Sequence, residues 1–216
     1  MSAAPSSFPP LLDDCGNAAS VLDRMASEFF SFRDLIECGE TWSRLAGGKG
    51  RVDNLPVQPA SWEALSQLAS VVLDPIWRQF GPLSLTFGFC SAALSRAIQA
   101  TPDPRISPPN DQHASCELNS RNRPVCIHQG ASCDFRVTGR EGRMDEVASW
   151  VVHNLDFDAL YYYGRDRAVH LSWGPHMRRM VVIMKTDPKT GRKRPAGTGF
   201  GASGQTLIGR AIDASD

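Results

Sequence analysis

Residues 129–137, QGASCDFRV, place one carboxylate, that of Asp134, directly after a run of small residues. The apolar and β-favouring side chains from Cys133 to Val137 predict a strand. An aspartate surrounded by small residues at the start of a strand needs an explanation, and the segments around it provide the context.

Apolar periodicity on both sides of this strand predicts an α+β domain. The predicted elements, in chain order, are a core helix over 61–81, a strand over 82–88, a short helix over 91–100, an amphipathic helix over 144–155 and a β-hairpin over 157–174. Ser61 is expected to cap the core helix. Together these elements predict a small antiparallel sheet with helices packed on one side.

The chain divides by composition into three parts. Residues 1–20 are rich in Pro, Ser and Ala and are predicted to be disordered. Residues 21–180 carry the periodic segments and form the predicted domain. Residues 181–216 are predicted to be a basic, Gly-rich C-terminal extension, preceded by a possible edge strand in MVVIM, residues 180–184.

The overall charge excludes a strong general attraction to polyanions. The 216 residues include 23 Lys plus Arg and 23 Asp plus Glu, so the formal net charge is zero. The C-terminal extension does carry a local basic cluster, which consists of Lys185, Lys189, Arg192, Lys193 and Arg194. Because no aromatic residue is interleaved with these cations, nucleic-acid binding is not expected, and a solvated tail is the simpler interpretation.

Targeting signals and cysteine spacing indicate an unexported protein with reduced thiols. The first 20 residues lack a basic start followed by an apolar stretch, and no apolar run has the length of a membrane span. We therefore expect a cytoplasmic location and no membrane partner. Six cysteines are scattered without a CxxC pair, although Cys116 and Cys126 flank one loop and are placed to bridge in an oxidising compartment.

His170 is the most informative of the five histidines. It alternates with Val169 and Leu171, so its side chain is expected on the opposite sheet face from theirs. Together with Asp134 from a nearby strand it offers residue types that zinc binds, and a third ligand would leave a fourth position for water. Spacing alone also allows a hydrogen-bonded histidine near an ordinary strand aspartate, because neither residue belongs to a compact ligand motif.

The order of segments across about residues 30–175 resembles the zinc D-alanyl-D-alanine carboxypeptidases and related murein peptidases with the hedgehog-type metallopeptidase fold. In that family a segment SxHxxGxAxD provides a His and an Asp to zinc, and a later strand W-[VI]-H-[VL]-S provides a second His. Here GASCDF, residues 130–135, matches the GxAxD half, and AVHLSWG, residues 168–174, matches the later strand.

The resemblance implies a Zn²⁺ ion bound by His113, Asp134 and His170. It also implies that the small residues before Asp134 let the backbone pack closely beneath the metal, so that the carboxylate reaches it. For the first ligand, His128 is an alternative to His113. An extended strand from 128 to 134 would separate those side chains by about 20 Å at roughly 3.3 Å per residue. This separation favours His113, followed by an inserted loop that returns to Gly130.

Two further positions depart from the family pattern. Asp166, four residues before His170, is the candidate general base, although an aspartate there is equally typical of a turn. Cys90 stands where the family has an arginine that binds the terminal carboxylate of the substrate. Arg96 and Arg136 are the candidates to compensate for that loss.

Two functions follow from these patterns. The first is a zinc-dependent hydrolase of peptide or amide bonds, with a peptide or peptidoglycan-derived substrate, supported by residues 130–134 and His170. The second is a non-catalytic binding or regulatory domain that retains the metallopeptidase fold, supported by Cys90 and by the turn-like position of Asp166. Since murein lies outside the cytoplasm, the first function would require release by a phage-type route or a cytoplasmic substrate.

Overall fold

Six strands form one open sheet in this computed structural model, which describes residues 21–46, 52–102 and 111–214. The strands are β1 (Leu83–Phe87), β2 (Ala131–Val137), β3 (Ala159–Tyr162), β4 (Val169–Trp173), β5 (Met180–Thr186) and β6 (Lys193–Phe200). Their order is β1-β2-β4-β3-β5-β6, with every neighbouring pair antiparallel except β3 and β5. The α+β class is confirmed, whereas the parallel pair departs from the all-antiparallel prediction. The predicted disordered segment 1–20 lies outside the described residues.

The helices precede, separate and follow these strands. They are α1 (Phe32–Ile36), α2 (Gly39–Leu45), α3 (Pro59–Gln67), α4 (Asp74–Phe80), α5 (Ala92–Gln99), α6 (Met144–Asn154) and α7 (Ala202–Asp213). A π-helical segment, Leu68–Leu73, joins α3 to α4, and Gln112–Ala114 form a 3₁₀ turn. In the parts of the chain described here, none of the helices has both the length and the apolarity needed to cross a bilayer.

The core helix that the sequence predicts over 61–81 is the continuous run of α3, the π segment and α4. Its predicted apolar stripe is buried from Leu65 to Ile76. The predicted cap at Ser61 is wrong, because the helix starts two residues earlier with Pro59 in its first turn, where the fixed φ of proline suits the helix. The Ser61 hydroxyl instead donates to Glu117 Oε1 at 2.8 Å.

One face of the sheet forms the main hydrophobic core. Along β2, Cys133 and Phe135 are fully buried, and on β4 the same holds for Val169 and Leu171. These side chains belong to one apolar cluster with the core helix and α6. Because side chains alternate along a strand, the residues between them point to the opposite face, which is where Asp134 lies.

The segment predicted as a C-terminal extension is part of the same sheet. The proposed boundary at residue 181 falls inside β5, which pairs with β3 on one side and with β6 on the other. The outer strand is therefore β6 and not 180–184. Helix α7 then packs against β5, β6 and α6, and its Ile208 is fully buried in the main core.

The predicted hairpin over 157–174 is present as β3 and β4, with Tyr161 opposite His170. Strand β4 also pairs with β2, so that His170 lies opposite Asp134. The line from β2 through β4 to β3 thus places Asp134, His170 and Tyr161 side by side on the face away from the core.

Gly130 lets the chain enter β2 in close contact with the end of β4. Its φ is +87°, and a Cβ there would lie 2.1 Å from the carbonyl oxygen of Trp173. Any other residue would therefore meet both a strained backbone and a clash with main-chain atoms. This contact is the structural reason for a glycine at the start of the small-residue run before Asp134.

Replacing Gly130 with alanine is expected to lower the free energy of unfolding by about 2–5 kcal/mol, because the left-handed backbone strain and the overlap with Trp173 add. Gly139 is a matched control, since its φ is +77° and a Cβ added there would have no other atom within 4 Å. Gly139→Ala should cost only about 1–2 kcal/mol. Urea unfolding of both variants measures the difference, and equal losses would contradict the role assigned to the contact.

Candidate metal centre

The three predicted ligands meet at one carboxylate oxygen atom, Asp134 Oδ1. The register of β2 and β4 places Asp134 opposite His170, and Asp134 Oδ1 lies 2.8 Å from His170 Nδ1. His113, from the 3₁₀ turn, places its Nε2 3.3 Å from the same oxygen. The structure therefore brings together the side chains of His113, Asp134 and His170.

Asp111 is the fourth member of the group, and the sequence interpretation missed it. Its Oδ1 lies 3.8 Å from His113 Nε2. Asp111, His113 and His170 each offer one ligand atom, and these atoms lie within 4.8 Å of one another. The available signal was a carboxylate two residues before the ligand histidine, in the segment Asp111-Gln112-His113.

The loop that carries His113 is tied to the start of β2. The Gln112 side chain donates to the carbonyl oxygen of Gln129 at 2.6 Å, and the Ser115 hydroxyl donates to that of Gly130 at 2.7 Å. The Cys90 N–H donates to the carbonyl oxygen of His113 at 2.9 Å. These contacts hold the inserted loop against the sheet, as the sequence argument for a returning loop requires.

A backbone hydrogen bond sets the tautomer of His113. Its Nδ1 lies 2.8 Å from the carbonyl oxygen of Gly88. Because a carbonyl oxygen only accepts, Nδ1 must carry the hydrogen, and Nε2 faces Asp111 and Asp134. A histidine held by one ring nitrogen in this way is the usual arrangement for a metal ligand.

The charges of the group favour a bound cation. Burial of the His113 ring acts to lower its pKa, but the carboxylates of Asp111 and Asp134 outweigh this effect and raise the pKa to about 9. Burial of Asp134 acts to raise its pKa, yet His113 and His170 hold that pKa well below its usual range. Without a metal ion, the His113 ring is therefore protonated on both nitrogens and positively charged at neutral pH.

The donor set and its spacing suit a divalent metal ion. Tetrahedral ligand atoms that each lie about 2.0–2.1 Å from a metal are about 3.4 Å apart. Asp134 Oδ1 lies 3.3 Å from His113 Nε2 and 2.8 Å from His170 Nδ1, and Asp111 Oδ1 lies 3.8 Å from His113 Nε2. These three separations bracket the tetrahedral value. The side chain of Asp134 is 31% exposed and that of Asp111 is 21% exposed, so one side of the group faces solvent.

The other histidines with described contacts have different roles. The Nε2 atom of His128, the alternative first ligand, lies 3.2 Å from a guanidinium nitrogen of Arg178. Burial and the nearby Arg178 charge lower the pKa of His128. His153 is exposed on α6, with Nδ1 2.8 Å from the Ser149 carbonyl oxygen. The structure thus brings His113, and not His128, to Asp134.

Asp166 does not lie with the metal-ligand group. It occupies an exposed turn before β4, and a Cβ on Gly142 would lie 3.2 Å from its Oδ1. Gly142 comes just before α6, beyond the end of β2, whereas Asp134 is at the middle of that strand. The assignment of Asp166 as general base therefore finds no support in this geometry, because the turn directs its carboxylate toward Gly142.

Cys90 is buried next to the group, and Arg96 lines a cavity that also reaches Asp111 and His113. Arg136, the other candidate to compensate for the missing arginine, does not line that cavity. Cys116 and Cys126 are both free thiols, so the bridge considered from the sequence is not formed.

No protein-family model, curated protein or solved structure matches this chain significantly. The fold and the side-chain group define an α+β protein with a candidate divalent-metal centre on the sheet face opposite the main core. The more specific resemblance to zinc peptidases, carried by residues 130–135 and 168–174, is treated below as a proposal.

The raised pKa of His113 predicts how stability depends on pH when no metal is bound. The folded state holds the proton up to about pH 9, whereas an unfolded histidine loses it near pH 6.5. The stabilisation is therefore complete below about pH 6.5 and is lost as the pH rises to about 9, by up to about 3 kcal/mol.

Urea unfolding of chelator-treated protein at pH 6, 7.5 and 9 measures this loss. His113→Gln should remove this pH dependence, because glutamine carries no proton that titrates. The exposed His153, changed to Gln, is the matched control and should retain the wild-type slope. A wild-type slope in His113→Gln would contradict the assignment.

Proposed function

We propose that this protein is a zinc-dependent hydrolase of peptide or amide bonds, with peptidoglycan-type peptides as candidate substrates. The observation that carries the proposal is the convergence of two imidazoles and two carboxylates at one solvent-facing point. The segments around Asp134 and His170, which resemble zinc carboxypeptidases, lie on neighbouring strands in register. The geometry thus agrees with the roles that the resemblance implies.

Zinc is the ion that this donor set fits best. Two imidazole nitrogens and a carboxylate oxygen, in a site with one open side, are typical of catalytic zinc and leave a position for water. His113 would bind through Nε2, His170 through Nδ1 and Asp134 through Oδ1, which are the atoms that face one another. When bound, the ion would lower the pKa of a water molecule and polarise the scissile carbonyl group.

Other side chains of the protein would transfer protons and orient the metal ligands. Asp111 is the described carboxylate beside the group that does not hydrogen-bond a histidine ring, and its Oδ1 also accepts the His113 backbone N–H at 3.1 Å. We assign it the role of taking a proton from water and returning it to the leaving amine. The Tyr161 ring packs edge-on against His170 at 5.0 Å between centroids and so restricts the orientation of that imidazole.

Zinc binding tests the ligand assignment. We expect the purified wild-type chain to bind about one zinc ion per molecule, with each of His113→Ala, Asp134→Asn and His170→Ala reducing affinity at least about 100-fold, because each removes one direct ligand. His153→Ala is the control and should bind like wild type. Metal analysis after dialysis against a competing chelator gives the result, and full zinc retention by His113→Ala would refute the ligand set.

A second comparison separates the two candidate bases. Although Asp111 also offers a ligand atom, Asp111→Asn keeps an oxygen at that position and leaves His113, Asp134 and His170 intact, so it should retain zinc. Turnover should fall by about 10²–10⁴-fold, the usual contribution of a general base. Asp166→Asn should leave turnover unchanged, because Asp166 lies in a turn near Gly142. The assay is chelator-sensitive hydrolysis of murein fragments and short D-amino-acid peptides. The reverse pattern would return the role to Asp166.

A metal-binding regulatory module is the second candidate function. Buried Cys90, in the position where a carboxylate-binding arginine is expected, and the remote Asp166 both favour it. In that case zinc would be bound by the same three side chains, yet none of these substrates would be hydrolysed. Stoichiometric zinc with no turnover on any of these substrates would support this second function over the first.

A further inference from the structure

A cavity of about 320 Å³ opens beside the candidate metal centre, between α5 and the loop that carries His113. Asp111 and His113 form one of its walls, so any group bound there is next to the proposed reaction point. Most of the remaining wall is apolar or small, namely Phe87, Cys90, Ala92, Ala114, Leu118 and Val125. The volume is at the lower end of the range for sites that bind small molecules.

Two polar side chains of the lining are already engaged with the protein. Glu117 Oε1 accepts hydrogen bonds from the Ser61 hydroxyl and from the backbone N–H groups of Val57 and Gln58. Asn119 Oδ1 accepts two backbone N–H groups of the following turn. These oxygens therefore stabilise the wall and do not determine which ligand the cavity selects.

Arg96 differs from these residues. It is exposed on α5 at the cavity, and within residues 21–46, 52–102 and 111–214 its guanidinium has no ion-pair or hydrogen-bond partner. It is also the one lysine or arginine side chain of the described lining. An arginine fork at the edge of an apolar cavity matches a ligand with an apolar body and a carboxylate, because the fork binds both carboxylate oxygens.

We propose that this cavity binds the part of the substrate that leaves after cleavage, and that this part is a residue with a bulky apolar side chain and a carboxylate paired with Arg96. This inference rests on the proposed hydrolase function, because it places the scissile bond at the metal centre. The apolar side chain contacts Phe87, Leu118 and Val125, and the carboxylate lies at the solvent side on α5. The cavity has room for a larger side chain than that of alanine.

Binding of acid and amide probes to the zinc-loaded full chain tests the proposal. The probes are N-acetylphenylalanine and N-acetylphenylalaninamide, in both enantiomers, with N-acetylglycine as a size control, measured by titration calorimetry or ligand-observed NMR. One acid enantiomer should bind about tenfold more tightly than its amide, as one charge-assisted pair provides. N-acetylglycine should bind more weakly than that acid.

Variants assign the preference to Arg96. Arg96→Ala should reduce the ratio of acid affinity to amide affinity below that of wild type. Arg96→Lys should restore some of this ratio. Any direct contact of the carboxylate with the metal is common to both proteins and cancels in this comparison. Arg44→Ala, an exposed arginine on α2 outside the cavity, is the matched control and should bind like wild type.

Three outcomes would overturn the inference: no binding of any probe, equal binding of acid and amide to wild type, or an unchanged preference in Arg96→Ala. The result is independent of turnover. An Arg96-dependent acid preference without hydrolysis would keep the cavity assignment and reject the hydrolase. Hydrolysis without that preference would keep the hydrolase and reject the cavity assignment.

Discussion

The structure depends on one carboxylate oxygen, Asp134 Oδ1, which faces His170 Nδ1 at 2.8 Å and His113 Nε2 at 3.3 Å. The Gly88 carbonyl oxygen holds the hydrogen of His113 on Nδ1. A neutral His113 would therefore direct the lone pair of Nε2 at a carboxylate, which is unfavourable for a ring that is only 4% exposed. A positive charge must occupy this position, and it is either a proton on the imidazole or a metal ion between the three side chains.

The hydrophobic core fixes this arrangement through the register of two strands. Asp134 and His170 are partners across β2 and β4, and their neighbours Cys133 and Leu171 are fully buried on the other face. A slip of one residue would move the carboxylate into the core and bring apolar side chains to the surface. The apolar pattern that stabilises the sheet therefore also determines which side chains meet at the metal centre.

Local patterns predicted the parts of the fold that depend on neighbouring residues. The core helix, the strand at Asp134 and the outward side of His170 all follow from alternation or helical periodicity over short stretches. The pairing of β5 with β3 and the docking of α7 depend on contacts distant in sequence, so residues 181–216 resembled a basic tail. Asp111 was missed for a related reason, because only the folded loop brings its carboxylate close to His170, which is distant in sequence.

Two of the three residues proposed to hold a metal lie on the sheet, whereas Arg96 and most of the residues proposed to select a substrate lie on a helix and a loop beside it. Asp134 and His170 lie on central strands whose other face is core, so their positions are rigidly determined. Arg96 lies on an exposed helix, and Leu118 and Val125 lie on the loop between His113 and β2. Substitutions in that helix and loop can change the cavity without disturbing the strand register. A cysteine at position 90, in place of an arginine, is therefore compatible with the proposed metal centre and with the proposed preference for a different substrate.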